Sequence, residues 1–261
     1  MEIKPVKNFG VVLDSRDSDY LAGTLSYQEV NPMGDWTPYL PKTENQYSNM
    51  ADSMACVSFS FLNCLETQLK FFGIELDFSD RFLAKISGTT IHGNTLGKVA
   101  DTFREFGCVL EPDWPKPENF TWETFYSEIP QEINDKALKY SVNYEWVETT
   151  VESLQRHLKH APLQLVIPGH AIMGIYENND IFKFFDTYSP YIKEHQNPPL
   201  YAMKIVLNKK VMTELEIKHL YTLAFYRLPD AQELAHWLGK PLGEFLKVAI
   251  GDRAEFLKQQ I

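Results

Sequence analysis

Cysteine is scarce: the chain of 261 residues holds three, Cys56, Cys64 and Cys108. An odd, small set does not make a disulfide framework, and none of the spacings is the Cys-x-x-Cys pair of a structural zinc site. At least one thiol is therefore available for other chemistry. Long apolar runs are lacking too. No segment approaches the roughly 18 residues that cross a bilayer, and the opening Met1-Glu2-Ile3-Lys4-Pro5 has no apolar signal core, so a chain held in a reducing cytoplasm is expected. Basic runs are equally absent. Lys and Arg number 25 against 35 Asp and Glu, giving a formal net charge of −10 and an isoelectric point near 5.2. Such a chain is repelled by phosphate backbones and anionic bilayers, so neither nucleic acid nor membrane is an expected partner. Internal repeats and low-complexity tracts are missing as well.

What is present suffices for a large core: 44% of residues are hydrophobic and 13% aromatic, so the fold needs no staples. Residues 1–50, rich in Asp, Pro, Tyr and Gly, read as extended segments and loops leading into that core. From Met54 to about Phe72, apolar residues at Val57, Phe61, Leu62, Leu65 and Leu69 predict a helix buried on one broad face, with Cys56 in its first turn. A second helix starts after the cap Ser79 and runs to the Ser87-Gly88 break. A third covers roughly Thr95 to Phe106 and stops at Gly107. Pro112, Trp114, Pro115, Pro117 and Trp122 predict a long loop within 112–150, leading to a strand near Tyr144-Trp146. A helix over 151–160, strands in LQLVI and HAIMGIY, a turn at Glu177–Asp180 and a strand in IFKFFDTY follow. After about 210 the helical pattern returns, broken at Pro229, Gly239 and Pro241. Helices dominate the first half and strands the second.

A thiol at a helix N-terminus faces unpaired amides and the positive end of the helix dipole, both of which favour thiolate. The commoner role of a cysteine beside a helix start is that of a small buried hydrophobe; the company of Cys56 argues otherwise. His170 follows Pro168-Gly169 and opens an apolar strand, which predicts an imidazole at a sheet edge facing a cleft. Asp186 lies sixteen residues further on, at the end of the next strand, where antiparallel pairing brings it beside His170 to fix its tautomer and stabilise the imidazolium. Cys64 and Cys108 read as core residues, and His92, His157, His160, His195, His219 and His236 as surface or structural ones. Cysteine, then histidine 114 residues later, then a carboxylate 130 residues after the cysteine, approaches the spacing of papain-type enzymes.

Over about residues 35–190 the sequence resembles the papain family, through motifs in the family's order. GDWTPYLPKTENQ is similar to the mature start of such enzymes and ACVSFSFLNCLE to their Cys-Trp-Ala-Phe-Ser helix. FSDRFLAKISG resembles their Leu-Ser-Glu-Gln helix, and HGNTLGKVADTFREFGCVLEPDWP their Gly-Gly stretch with its following helix. ESLQRHLKHAPLQLVIP, HAIMGIY and FDTYSP resemble the helix and strand before the histidine, the His-Ala-Val strand and the Asn-Ser-Trp segment. The resemblance implies an α+β, two-lobed fold, with a helical lobe carrying the Cys helix, an antiparallel β lobe carrying His170 and Asp186, and here a C-terminal helical extension. It implies domains at 1–34 (lead segment), 35–210 (catalytic) and 211–261 (helical extension). It also implies a peptidase acting on peptide or protein substrates, with Cys56 as nucleophile, His170 as base, Asp186 orienting it and no metal or organic cofactor. By motif Gln46, with the Cys56 amide, forms the oxyanion hole, and Gly93 and Asn94 match the glycine pair that hydrogen-bonds an extended substrate.

The sequence departs from that pattern in four places. Gln46 precedes Cys56 by ten residues, a wider gap than usual that holds YSNMADSMA, which leaves Gln46 or Asn49 as the oxyanion residue. Val57 stands for the usual tryptophan, aspartate replaces asparagine as the third residue, and the loop before His170 is nearly missing. The upstream segment is too short for a full cathepsin-type inhibitory prodomain, and the compact motifs lean to a bacterial or bacteriophage protein, virion-associated if of phage origin. Two other readings keep the same residues: an amidase, isopeptidase or acyltransferase sharing the thioester step, and a papain-like scaffold without turnover.

Overall fold

Cys56–Phe71 forms the first helix (α1) in a computed structural model that describes residues 10–13, 30–138, 140, 142–178, 181–207 and 230–237. Burial is not confined to the one broad face that the apolar spacing predicts: every residue from Cys56 to Leu69 is buried. A helix enclosed on all sides must satisfy its polar side chains against whatever encloses it. Gln68 Nε2 donates to Ile205 O at 3.0 Å and Thr67 Oγ1 lies 3.4 Å from Met173 Sδ. Gln164 Nε2 donates to Val57 O and Ser60 Oγ, both at 2.8 Å. Polar residues that blur the helical stripe in the sequence are thus the ties between α1 and its surroundings.

Two helices pack beside it. Asp80–Ile86 (α2) is capped by Ser79, whose Oγ accepts from Phe82 N at 3.2 Å, and Leu96–Phe106 (α3) by Thr95, which accepts from Lys98 N. The Phe61, Phe78 and Phe103 rings join α1 to α3, with centroids 5.1 and 6.2 Å apart. The proline-rich stretch is less of a loop than predicted, since it holds the short helices α4 (Trp122–Phe125) and α5 (Gln131–Asn134). Arg81 on α2 anchors it. Its guanidinium donates to Phe125 O, Pro115 O, Thr124 O and Ser127 Oγ at 2.5–3.1 Å and stacks over Trp114. One forked cation thereby satisfies carbonyls that regular structure leaves open.

The second half is a six-stranded antiparallel sheet, with α6 (Val151–Leu158) following its first strand. The strands are β1 (Val142–Val147), β2 (Leu163–Ile167), β3 (His170–Asn178), β4 (Ile181–Phe185), β5 (Ile192–His195) and β6 (Tyr201–Leu207), in the order β1-β6-β2-β3-β4-β5. Ile167 pairs with His170, so Pro168-Gly169 is the whole connection, with Gly169 at φ 76° where a side chain would be strained. β5 and β6 stand outside the predicted strands. IKEH is mostly polar, and β6 carries Lys204 at a core position. Lys204 is buried with Glu145 at 3.1 Å and His157 Nδ1 at 3.3 Å, and burial together with the Lys204 charge pushes His157 down to about 4. A buried, paired lysine interrupts the hydrophobic signature that marks a strand.

A second compact unit comprises Phe71–Ile74 and residues 208–261. Its described helix, α7 (Ala231–Trp237), opens on Asp230, whose Oδ1 accepts from the Gln232 and Glu233 amides while Glu233 Oε2 accepts from Asp230 N. That reciprocal pattern is a capping box. The helices expected near 213–229 and 242–260 lie outside the described residues, as does part of the Glu177–Asp180 turn. Among the described residues no helix is long and apolar enough to cross a membrane.

A carboxylate group beneath α1 makes a testable demand on pH. Glu66 Oε1 accepts from Phe78 N at 2.7 Å; burial, with Glu44 and Glu111 nearby, pushes Glu66 and Asp80 well above the usual carboxyl range. Burial likewise raises Glu111 to about 7. Groups raised on folding bind more protons in the native than in the unfolded state, so stability falls as pH rises from the ordinary carboxyl value through about 7. The urea midpoint should drop between pH 5 and 7.5, and less so in Glu111→Gln, which keeps the Oε1 acceptor for the Lys116 amide. An equal drop in both proteins would remove Glu111 as a source.

Candidate active site

The chain enters α1 through Met54, whose φ of 56° is left-handed, a conformation costly for a side-chain-bearing residue and kept only when the surroundings enforce it. Cys56, fully buried, then opens the helix. Its Sγ accepts from the Ala171 amide at 3.4 Å, so the N-terminus of α1 meets the start of β3 beside His170. The His170 Nε2 atom lies 2.7 Å from Asp186 Oδ1, with both residues 4% exposed. The sheet sets that distance. Met173 pairs with Phe185, so Asp186 stands just past the last rung, held by a bond from its amide to Tyr191 O at 2.8 Å, and its carboxylate reaches back along β3. The Tyr188 ring covers the pair edge-on, 5.4 Å from the imidazole.

Each Asp186 oxygen has its own partners. Oδ1 takes His170 and the Thr187 amide (2.6 Å), and Oδ2 takes Lys193 Nζ at 2.6 Å. Burial alone would raise this carboxyl, but the hydrogen bonds and charges of His170 and Lys193 together outweigh it and hold Asp186 below its ordinary value. It is an anion near neutral pH.

The wide gap between Gln46 and Cys56 closes in space. Ser53 N donates to Gln46 O at 3.0 Å, Ser48 N to Ala51 O at 2.8 Å, and Tyr47 bridges Asp52, so the inserted residues double back and leave their two ends adjacent. Gln46 is buried, and Asn49 is exposed on the loop. Gln46 Oε1 accepts from Thr187 Oγ1 at 2.8 Å, and Nε2 donates to Asp52 Oδ1 at 3.0 Å. Asp52 also accepts from Met54 N at 2.9 Å and from the Tyr188 hydroxyl, and Tyr47 stacks on Tyr188. Gln46, Cys56, His170 and Asp186 are therefore joined by contacts running through Thr187, Ala171, Asp52 and Tyr188. Asp52 and Lys193 did not emerge from the sequence. Asp52 lies in the insertion, which has no counterpart in the family pattern, and Lys193 in a strand whose polar composition hid it.

Gly93 and Asn94, the pair that the motif assigns to an extended substrate, are bonded here to other parts of the chain. The Asn94 side chain points inward, donating to Ser87 O, Ser87 Oγ and Thr89 Oγ1 and accepting from Thr95 N. Its backbone is paired in parallel with the chain's own residues: Asn94 N donates to Gly10 O at 2.9 Å and Val12 N to Asn94 O at 2.7 Å. A Cβ on Gly93 would meet Gly10 O at 1.8 Å, and one on Gly10 would meet Met54 O at 2.0 Å. Only glycine allows this approach, which fills the edge expected to hold substrate, within two residues of Cys56.

This packing reverses the electrostatics that the helix N-terminus suggests for the thiol. Burial pushes Cys56 well above the ordinary thiol range, Asp52 and Asp186 add to the rise, and the Ala171 amide offsets only part of it. Cys64 and Cys108 are also buried and raised by burial. In this closed arrangement Cys56 is a neutral thiol. Among the described residues no cluster of His, Cys, Asp and Glu has the makings of a metal site.

Neither a protein-family profile nor a curated protein matches the sequence. Solved structures do match. Xylellain, a cysteine protease from Xylella fastidiosa, aligns over 80% of this chain and 99% of its own at 11% identity, with a TM-score of 0.57. Digestive procathepsin L 3 of the Tenebrio molitor larval midgut covers 78% of this chain and 75% of its own at 13% identity, TM-score 0.54. The ragweed pollen cysteine protease Amb a 11, in its proform, covers 72% and 69% at 14% identity, TM-score 0.52. The fold is papain-like, a mixture of helices and antiparallel sheet shared with these proteases.

Thr187 offers a direct check on the Gln46 anchor. Thr187→Val should remove the hydroxyl that donates to the buried Gln46 carbonyl oxygen and lower stability by about 1–3 kcal/mol in urea unfolding, whereas Thr187→Ser should stay near wild type. Equal stability of all three would remove the Thr187–Gln46 bond as an anchor.

Proposed function

We propose that the chain is a papain-like cysteine peptidase that hydrolyses peptide bonds through Cys56, His170 and Asp186. One observation carries the reading: a cysteine at a helix N-terminus, bonded to the amide next to a histidine whose Nε2 is held by a buried carboxylate at 2.7 Å. With Nε2 donating to Asp186, Nδ1 is the basic nitrogen of the neutral imidazole. It takes the Cys56 proton, and the thiolate attacks the carbonyl carbon. The oxyanion is met by the Cys56 amide and by the second N–H of Gln46 Nε2, whose orientation Asp52 and Thr187 fix. Collapse breaks the C–N bond as imidazolium returns its proton to the leaving amine. Water, deprotonated by His170, then hydrolyses the thioester and frees the thiol. Withdrawal of Gly10–Leu13 would open the Asn94 backbone edge to an extended substrate and give Cys56 the solvent that favours thiolate. Isopeptide or cell-wall amide cleavage, or transfer to another acceptor, would use the same thioester and differ only in what binds and attacks.

The test is alkylation with iodoacetamide near neutral pH, mapped by mass spectrometry, alongside hydrolysis of a fluorogenic peptide library. Labelling should be confined to Cys56, and peptide hydrolysis should fall by about a thousandfold or more in Cys56→Ala and His170→Ala. Val12→Pro, which removes the amide that donates to Asn94 O, should speed both labelling and hydrolysis. Slow labelling that His170→Ala leaves unchanged, even with Val12→Pro, would sink the peptidase and favour a papain-like scaffold without turnover.

A further inference from the structure

We propose that Lys193 is a positioning residue that acts on His170 through Asp186, cancelling the carboxylate charge so that the imidazole meets a nearly neutral partner. The inference rests on the peptidase reading and accounts for one departure from the family pattern, aspartate where asparagine is usual.

Asp186 divides its oxygens between a cation and a group that becomes one when it takes a proton. Oδ1 holds His170 Nε2 at 2.7 Å and Oδ2 holds Lys193 Nζ at 2.6 Å. The carboxylate is 4% exposed, while the Lys193 side chain keeps 28% of its surface. The ammonium therefore stays partly hydrated and bears little of the desolvation penalty of a fully buried ion pair. The sheet holds it in place: Lys193 pairs with Phe184 across β4 and β5, and the Asp186 amide bonds to Tyr191 O between them. This ties the lysine to the carboxylate by backbone, unlike a pair of mobile surface side chains, for which little coupling is expected.

Such a counterweight suits the chemistry. His170 must accept a proton from Cys56 and later surrender it to the leaving amine. A buried carboxylate hydrogen-bonded to its far nitrogen stabilises the imidazolium and weakens it as an acid. A lysine on the other oxygen withdraws that stabilisation while the carboxylate still fixes the ring. Among the described residues, the ionisable groups around the unit include Cys56 from α1, Asp52 from the inserted loop, Tyr188 from the turn after β4, His170 from β3 and Lys193 from β5. Lys193 is the one among these that bonds Asp186 from the side away from the imidazole.

A charge cycle read on His170 itself tests the idea. Imidazole titration by NMR and the pH profile of Cys56 alkylation are to be measured in wild type, Lys193→Met, Lys193→Gln, Asp186→Asn and Asp186→Asn/Lys193→Met. Either Lys193 replacement should raise the His170 midpoint by about one pH unit, a tenfold change in proton affinity, and move the alkaline limb of alkylation upward. Asp186→Asn should shift the midpoint the other way, because Lys193 is then uncompensated. The double variant should return towards wild type and alkylate faster than Asp186→Asn alone. A midpoint unmoved in folded Lys193→Met and Lys193→Gln, or a double variant no faster than the single one, would overturn the proposal. If the wild type neither labels at Cys56 nor cleaves peptides, the peptidase reading fails, while the titration still decides what Lys193 does to His170.

Discussion

The burial of α1 on every side is the constraint from which the site follows. A helix enclosed all round needs a partner surface at its end as well as along its flanks, and here the start of β3 supplies it, with the Ala171 amide on the Cys56 sulfur. The side chains that would betray a solvent face in an ordinary surface helix are here spent on Ile205, Met173 and Phe78. Cys56 is thus held between a helix terminus that favours thiolate and a buried setting that opposes it. Burial prevails while Gly10 lies against Met54 and Gly93.

Around that end the site is built of shared acceptors. Asp52 gathers Gln46, the Met54 amide and Tyr188, while Asp186 gathers His170, the Thr187 amide and Lys193. Each carboxylate has both oxygens committed, which lets Asp186 sit buried and Asp52 half-buried. Thr187 links the two groups through Gln46. Preorganisation of this kind is what an acyl-transfer site requires, since donors already in place need not reorganise as charge develops.

Much of this was legible in the chain. The apolar spacing after Cys56 marked α1, Ser79 marked the cap of α2, the stretch from about Thr95 to Gly107 marked α3, and Pro168-Gly169 marked the start of the strand that opens on His170. The motif order from Asp35-Trp36 to Asp186-Thr187-Tyr188 pointed to the fold that solved structures share with it. β5 and β6 escaped, because Lys193, Glu194 and Lys204 break the apolar strand pattern, and the partners of the two lysines, Asp186 just past β4 and Glu145 on β1, are supplied by neighbouring strands. The short helices α4 and α5 escaped because prolines and tryptophans spoke for loop while Arg81, from another helix, supplied the missing hydrogen bonds.

By itself the sequence determined which residue types stand at a helix start, at a strand start and at a strand end, since periodicity, capping and turn chemistry are local. Tertiary structure decided the rest. It closed the nine residues between Gln46 and Cys56 into a loop, turned the Asn94 side chain inward, laid Gly10–Val12 along its backbone and set Lys193 against Asp186. Those outcomes depend on which distant groups meet out of water, where a single charge or hydrogen bond outweighs local propensity.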